Sequence, residues 1–257
     1  MLDQSFEYYW SVLFGLILIR YFLIAGGAYW LFYRWQQPSL KRTLRRSPPS
    51  LQAIRTDIKL SVLSAIVFAL GAAFILREYN LGRTLVYSDP AQYGLWYLAA
   101  SFMTVLLLQD SYFYFIHRAA HHPRLFKWMH HGHHRSGDPS PWTSFAFDLP
   151  EALIQALFFV AIVFVIPLHI GTLIAVLLTM TLWAVWNHLG FELFPANFSR
   201  HWLTRWLIGP THHAIHHRKY TAHYGLYFTL WDRLLGTQDP NYESVFDATL
   251  NRPSREL

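Results

Sequence analysis

Residues 93–134 read YGLWYLAASFMTVLLLQDSYFYFIHRAAHHPRLFKWMHHGHH. Through Ile116 the stretch is almost uncharged and long enough to cross the hydrocarbon of a bilayer as a helix. From His117 onward it carries seven histidines in eighteen residues. An apolar span thus delivers a dense imidazole cluster to a membrane surface.

Two further spans precede it, at about Tyr8–Tyr33 and Ile58–Leu76. The first is bracketed by Tyr8, Tyr9 and Trp10 and by Trp30, Tyr33 and Trp35, rings that favour the headgroup level. Its acidic start (Asp3, Glu7) and its length distinguish it from a cleavable signal peptide. Residues 150–186 are nearly uncharged and are interrupted at Pro167 and Gly171, which predicts two short arms joined by a tight turn. Each arm is marginal in length, so a full crossing and a re-entrant dip both fit. The expected fold class is all-α: an integral membrane helical bundle of about three spans plus a helical hairpin, with a cytoplasmic histidine-rich helical cap. We expect three regions: residues 1–92 with the first spans and a basic loop, 93–237 with the histidine domain, and a polar, loosely ordered tail over 238–257.

Charge orients the bundle. The first connection carries Arg34, Lys41, Arg42, Arg45, Arg46 and Arg55 and no acid, whereas the next balances Arg77 and Arg83 against Glu78 and Asp89. The positive-inside bias places the first connection in the cytoplasm. Following the spans from there puts fourteen of the 15 histidines on the cytoplasmic side, with His169 at the hairpin tip on the other.

Composition agrees. Hydrophobic residues make up 53% and charged residues 14%, too few charges for an ordinary soluble surface. The absence of cysteine excludes disulfides, iron–sulfur clusters, thiolate haem and Cys-ligated zinc. The net charge of +6 lies between apolar stretches and reads as topology and attraction to anionic membrane lipids, with no nucleic-acid partner.

Three histidine clusters stand out. In His117-Arg118-Ala119-Ala120-His121-His122, His117 and His121 share a helical face and can grip one metal. In His130-His131-Gly132-His133-His134, ideal helical spacing pairs His130 with His133 and turns His134 about 100° away, toward a second metal. His213, His216 and His217 repeat that spacing beside His212, and His188 follows the hairpin. So many imidazoles exceed what one metal holds, so two metals are implied. Imidazole suits iron, zinc and copper. Two irons can activate O₂ against an unactivated C–H bond, and the apolar spans offer a slot for a lipid. His122, His131, His169 and His201 read as solvated. Arg20, near the middle of the first span, is costly there and should face the bundle interior or a polar partner.

The pattern H-x3-H, H-x2-H-H and, after a membrane hairpin, a second H-x2-H-H resembles the sterol desaturase / fatty acid hydroxylase superfamily of membrane di-iron enzymes. The resembling text is DSYFYFIHRAAHHPRLFKWMHHGHH (110–134), WNHLGFE (186–192) and THHAIHHRKYTAHYGLYFTLWDRLLGT (211–237). The resemblance implies metal ligands at His117, His121, His130, His133, His134, His188, His213, His216 and His217. It implies two Fe ions, with zinc able to replace them in purified samples, and O₂ as co-substrate. Some members carry a further histidine where this chain has Glu192, which leaves Glu192 as a ligand or a partner of one. His212 and His223 stand as extra ligands or ring-orienting groups. Asp110 and Asp232 are expected to orient imidazoles, with a cap or ion pair as the plain alternative for Asp232. The implied reaction hydroxylates or desaturates a lipid, with electrons from a separate ferredoxin, cytochrome or NAD(P)H-dependent reductase. The competing readings are a metal-handling membrane protein, a bis-histidine haem carrier and a zinc-dependent hydrolase.

Overall fold

The computed structural model describes residues 4–35 and 42–251. Asp3 and Lys41, used above for topology, lie outside them, as do residues 252–257. The described residues form a helical bundle whose long members are α1 (Phe6–Trp35), α2 (Leu51–Asn80), α3 (Leu95–Ala120) and α7 (Ile170–Asn187). Each is long and apolar enough to cross a membrane. Between α3 and α7 come α4 (Pro123–Met129), α5 (His131–His134) and α6 (Leu149–Ile162). After α7 follow α8 (Pro210–Lys219), α9 (Leu230–Leu234) and α10 (Tyr242–Leu250).

Serines cap the first two long helices. Ser5 accepts from the amide of Tyr8 and Ser50 from that of Ala53, satisfying donors that a helix start leaves free. Near its middle α1 passes through a π-helical turn, Phe22–Gly26. There a side chain at position 26 would meet the ring of Trp142 at 3.0 Å, so glycine permits the close approach. Tyr21 Oη and Ser61 Oγ both donate to the Trp142 carbonyl. Asp57 of α2, 2% exposed, accepts from Ser136 Oγ and, at 2.6 Å, from Thr143 Oγ1. A buried carboxylate is tolerable only with such donors, and these tie the 136–143 segment to α2.

The structure decides the hairpin. Helix α6 has 14 residues, about 21 Å of rise, short of the roughly 30 Å hydrocarbon layer. Its connection to α7 supplies the remaining depth. Leu168–His169 (β2) pairs in parallel with Val86–Tyr87 (β1), and Leu85 N–H bonds the Val163 carbonyl. The tip therefore reaches the end of the bundle where α2 connects to α3. His169 sits there, accepting from Gly171 N–H and bonded to the Ser88 carbonyl.

At the opposite end the basic connection packs on the histidine segments. Leu44 N–H bonds the Gly190 carbonyl, Glu192 N–H bonds the Arg42 carbonyl, and Arg46 N–H bonds Asp138. Charge counting required this shared end, and the backbone bonds make it. The tail departs from expectation. Instead of being loose, α10 buries Tyr242 and Phe246 against Phe198 and Ile215. The Tyr242 ring also stacks on His212 at 3.7 Å. Two apolar side chains on one helical face suffice to dock a short polar helix.

Candidate metal centre

Nine histidines converge at this end in two groups. His117, His121, His130, His134 and His216 form one; His133, His188, His213 and His217 form the other. Within each, the nearest ring nitrogens lie within 4.8 Å of one another. Helix α3 ends into His117 and His121, and α7 ends into His188. His130, just before α5, and the short helices α5 and α8 supply the rest.

For five of these rings the hydrogen bonds determine which nitrogen is free. His117 Nδ1 faces the Tyr224 carbonyl at 2.9 Å, and His130 Nδ1 faces Glu151 Oε2 at 2.7 Å. Oxygens of this kind accept, so each Nδ1 carries the proton and each Nε2 presents a lone pair. Those two Nε2 atoms lie 2.9 Å apart. In the second group His133 Nδ1 bonds the Ala146 carbonyl and His188 Nδ1 the Ala184 carbonyl, leaving their Nε2 atoms 3.2 Å apart. His216, bonded through Nδ1 to Ala222, turns its Nε2 to His134 at 3.0 Å and His121 at 3.2 Å. Facing lone pairs at such separations repel unless a cation lies between them. Nitrogens about 2.1 Å from one ion and at right angles around it are about 3.0 Å apart. The donor set, all imidazole, fits a borderline metal such as iron, zinc or copper. Burial pushes His130, His133, His213, His216 and His217 well below the usual imidazole range, so the rings are neutral, as ligation needs.

An apolar cavity of about 440 Å³ adjoins the groups, within the range of small-molecule sites. It lies among α1, α2, α6 and α7. Phe113 and Phe147 line it and also touch the histidines, Phe113 at 4.9 Å from His117 and Phe147 stacked at 5.5 Å on His133. Leu16 of α1 and Ile174 and Leu178 of α7 line it while remaining exposed, so it opens sideways between those helices.

A profile described as fatty acid hydroxylase matches residues 102–237, just over half of the chain. The Delta(7)-sterol 5(6)-desaturase ERG3B of Gibberella zeae is 30% identical over 213 residues, covering 79% of this chain and 64% of that protein. The Aspergillus fumigatus Delta(7)-sterol 5(6)-desaturase erg3C is 31% identical over 76% of this chain and 67% of its own length. Human lathosterol oxidase is 30% identical over 85% and 70%. The chain belongs to the sterol desaturase / fatty acid hydroxylase superfamily. It spans about two thirds of the length of these relatives. No solved structure matches it.

For a member of this superfamily, the grouping of the second and third boxes is a correction to ideal spacing. His130 joins His134 in one group and His133 goes to the other. Helical counting fails because His130 precedes α5 with φ −146° and ψ −5°, outside the helix. In the regular helix α8 the four-residue pair, His213 and His217, stays together and His216 crosses over. The second and third clusters therefore each give two rings to one group and one to the other, whereas His117 and His121 stay together.

The carboxylates act one step further out than expected. Asp110 Oδ1 touches no imidazole; it accepts from the amides of Leu226, Tyr227 and Phe228. Asp232 accepts from Tyr224 N–H, Gly225 N–H and Thr237 Oγ1, the capping role. Together they clamp the loop whose Tyr224 carbonyl orients His117. Glu192 belongs to neither group. The helix ends at Asn187, so Glu192 shares no helical face with His188. Its carboxylate accepts from Thr211 Oγ1 at 2.6 Å, Thr211 N–H and Phe194 N–H, anchoring the start of α8. His212 accepts from Gly209 N–H, and His223, at φ 59°, accepts from Asp239 N–H; neither joins a group. His122, His131 and His201 are exposed and His169 lies at the far end.

Glu151 is the residue the sequence reading missed. It was absorbed into the apolar hairpin. Its isolation as the one Asp, Glu, Lys or Arg in residues 150–186, which otherwise hold only His169 as a titratable group, was the available signal. Beside it Asp148, preceding α6, accepts from Gly132 N–H, and its carboxylate occupies the space a side chain at position 132 would need. Replacing Glu151 with Ala leaves His130 Nδ1–H buried and unpaired. The expected result is a roughly 10- to 100-fold weaker hold on metal, read as faster loss of bound metal to a chelator, with Glu151→Gln retaining most of the affinity.

Proposed function

We propose that this chain is a membrane-bound, O₂-dependent oxidoreductase that uses two irons to hydroxylate or desaturate a lipid. One observation carries the reading: two sets of bare imidazole nitrogens, spaced to hold cations, border an apolar cavity open to the side of the bundle. Bound iron would supply O₂ activation, held by His117, His121, His130, His134 and His216 and by His133, His188, His213 and His217. The protein's own part is positional. Tyr224, Ala222, Ala146 and Ala184 carbonyls and Glu151 hold the protons on Nδ1 and aim the rings. Phe113 and Phe147 separate the groups from the cavity with apolar surface and limit water there.

The relatives' names make sterols the first substrates to test, with fatty acyl and related lipids beside them. Electrons come from a separate ferredoxin, cytochrome or reductase, and the site faces the cytoplasm, the side of the basic connection. The histidines lie at helix ends, away from mid-span, which favours an enzyme over an ion pathway. Zinc would fit the same nitrogens, so the test must read oxygen. Purified protein loaded with iron and given a reductase system should consume O₂ in the presence of lipid extract. Mass spectrometry should show a lipid gaining one oxygen atom or losing two hydrogens. Hydrolysis of an ester or amide without O₂ uptake would replace this reading with the zinc hydrolase.

A further inference from the structure

Arg20 sits on α1 about 20 Å from either end of the helix, beyond the reach of a snorkelling side chain. Its side chain lines the apolar cavity. Among the described residues the guanidinium has no hydrogen bond or ion pair, and Nε is buried without a partner. Its contact is the ring of Phe145, 5.8 Å from the guanidinium carbon. The cavity lining contains no Asp, Glu or Lys. A second donor, Gln155 Nε2, also lines it and is likewise buried without a partner. Two other polar side chains there are engaged: Gln109 accepts from Tyr227 Oη and Ser144 Oγ donates to the Pro141 carbonyl.

An uncompensated guanidinium in an apolar, membrane-embedded cavity is expensive. A ligand can remove the cost by bringing the missing negative charge. The unpaired groups are both donors, and a carboxylate, phosphate or sulfate oxygen only accepts. A neutral alcohol, a free sterol included, would leave the charge uncompensated and has a hydrogen of its own to place, so of the lipids named above the fatty acyl class fits this cavity better. We propose that Arg20, with Gln155, binds the anionic oxygen head of an acidic amphiphile whose apolar body fills the cavity. Arg20 is thus the residue that selects this substrate class. The proposal rests on the reading of the cavity as the lipid site. Phe145 is joined through Ala146, the acceptor of His133, to Phe147, so the anchored head lies at the histidine end of the cavity.

The test uses the full chain in nanodiscs of neutral lipid and two fluorescent probes, parinaric acid and its methyl ester, at mildly alkaline pH. Binding is read by energy transfer from tryptophan and by competition with oleic acid or methyl oleate. The wild type should bind the acid at least about ten-fold more tightly than the ester, the scale of one charge-assisted hydrogen bond. Arg20→Gln should abolish that preference while leaving ester binding unchanged, and Arg20→Lys should keep most of it. Equal binding of acid and ester by the wild type overturns the proposal, and needs no variant to fold. So does an acid preference that survives in Arg20→Gln. His133→Ala should show the wild-type preference, because the head does not touch the histidines. Wild-type protein that prefers the acid but shows no O₂ uptake with lipid after iron loading and with a reductase system would refute the oxygenase reading and leave this one standing.

Discussion

Activity should fall more than about 100-fold when His133 or His216 is replaced with Ala, and each variant should hold about half the metal of the wild type. The expectation follows from how the rings are shared. His133 Nε2 closes the four-membered group against His188, and His216 Nε2 faces both His134 and His121 in the other. Loss of either leaves a gap that no neighbouring side chain fills, because His212 and His223 are held elsewhere by Gly209 and Asp239. Elemental analysis of the purified variants and turnover with the lipid found above are the measurements. Full iron and full turnover in the double variant would remove the basis for two metal positions.

The second large effect is on folding. Asp110→Ala removes the oxygen that accepts three amides, those of Leu226, Tyr227 and Phe228, at a position 2% exposed. Buried donors left without acceptors cost about 1–3 kcal/mol each and do not add fully, so a loss of about 3–5 kcal/mol is expected. Asp110→Asn keeps an acceptor oxygen in place and should lose less than half of that. Denaturant titration in detergent gives both values. The same Ala variant should also lose iron, because the released loop carries the Tyr224 carbonyl that holds the proton on His117 Nδ1. Wild-type stability in Asp110→Ala would show that the loop is held by its other clamp, Asp232.

Why the nine candidate ligands were legible and their supports were not has a simple cause. Histidine is rare enough in apolar chains that its clustering at span ends is visible without coordinates. The acids that brace the site look ordinary in sequence. Glu151 resembles a stray charge in a hairpin, Glu192 an occupant of a histidine position, and Asp110 a helix neighbour of His117. Their actual roles depend on loops arriving from more than a hundred residues away, as with Asp110 and residues 226–228, or on a helix ending before Glu192.

By its residues alone this chain declared a bundle of apolar spans, one end loaded with imidazole and basic charge, because hydropathy and charge act locally along the chain. Only tertiary structure decided how the rings divide between two groups, since His130 stands outside the helix that carries His133 and His134 and no periodicity reports that. It also decided the depth of the hairpin, which the pairing of Leu168–His169 with Val86–Tyr87 sets and helix length does not.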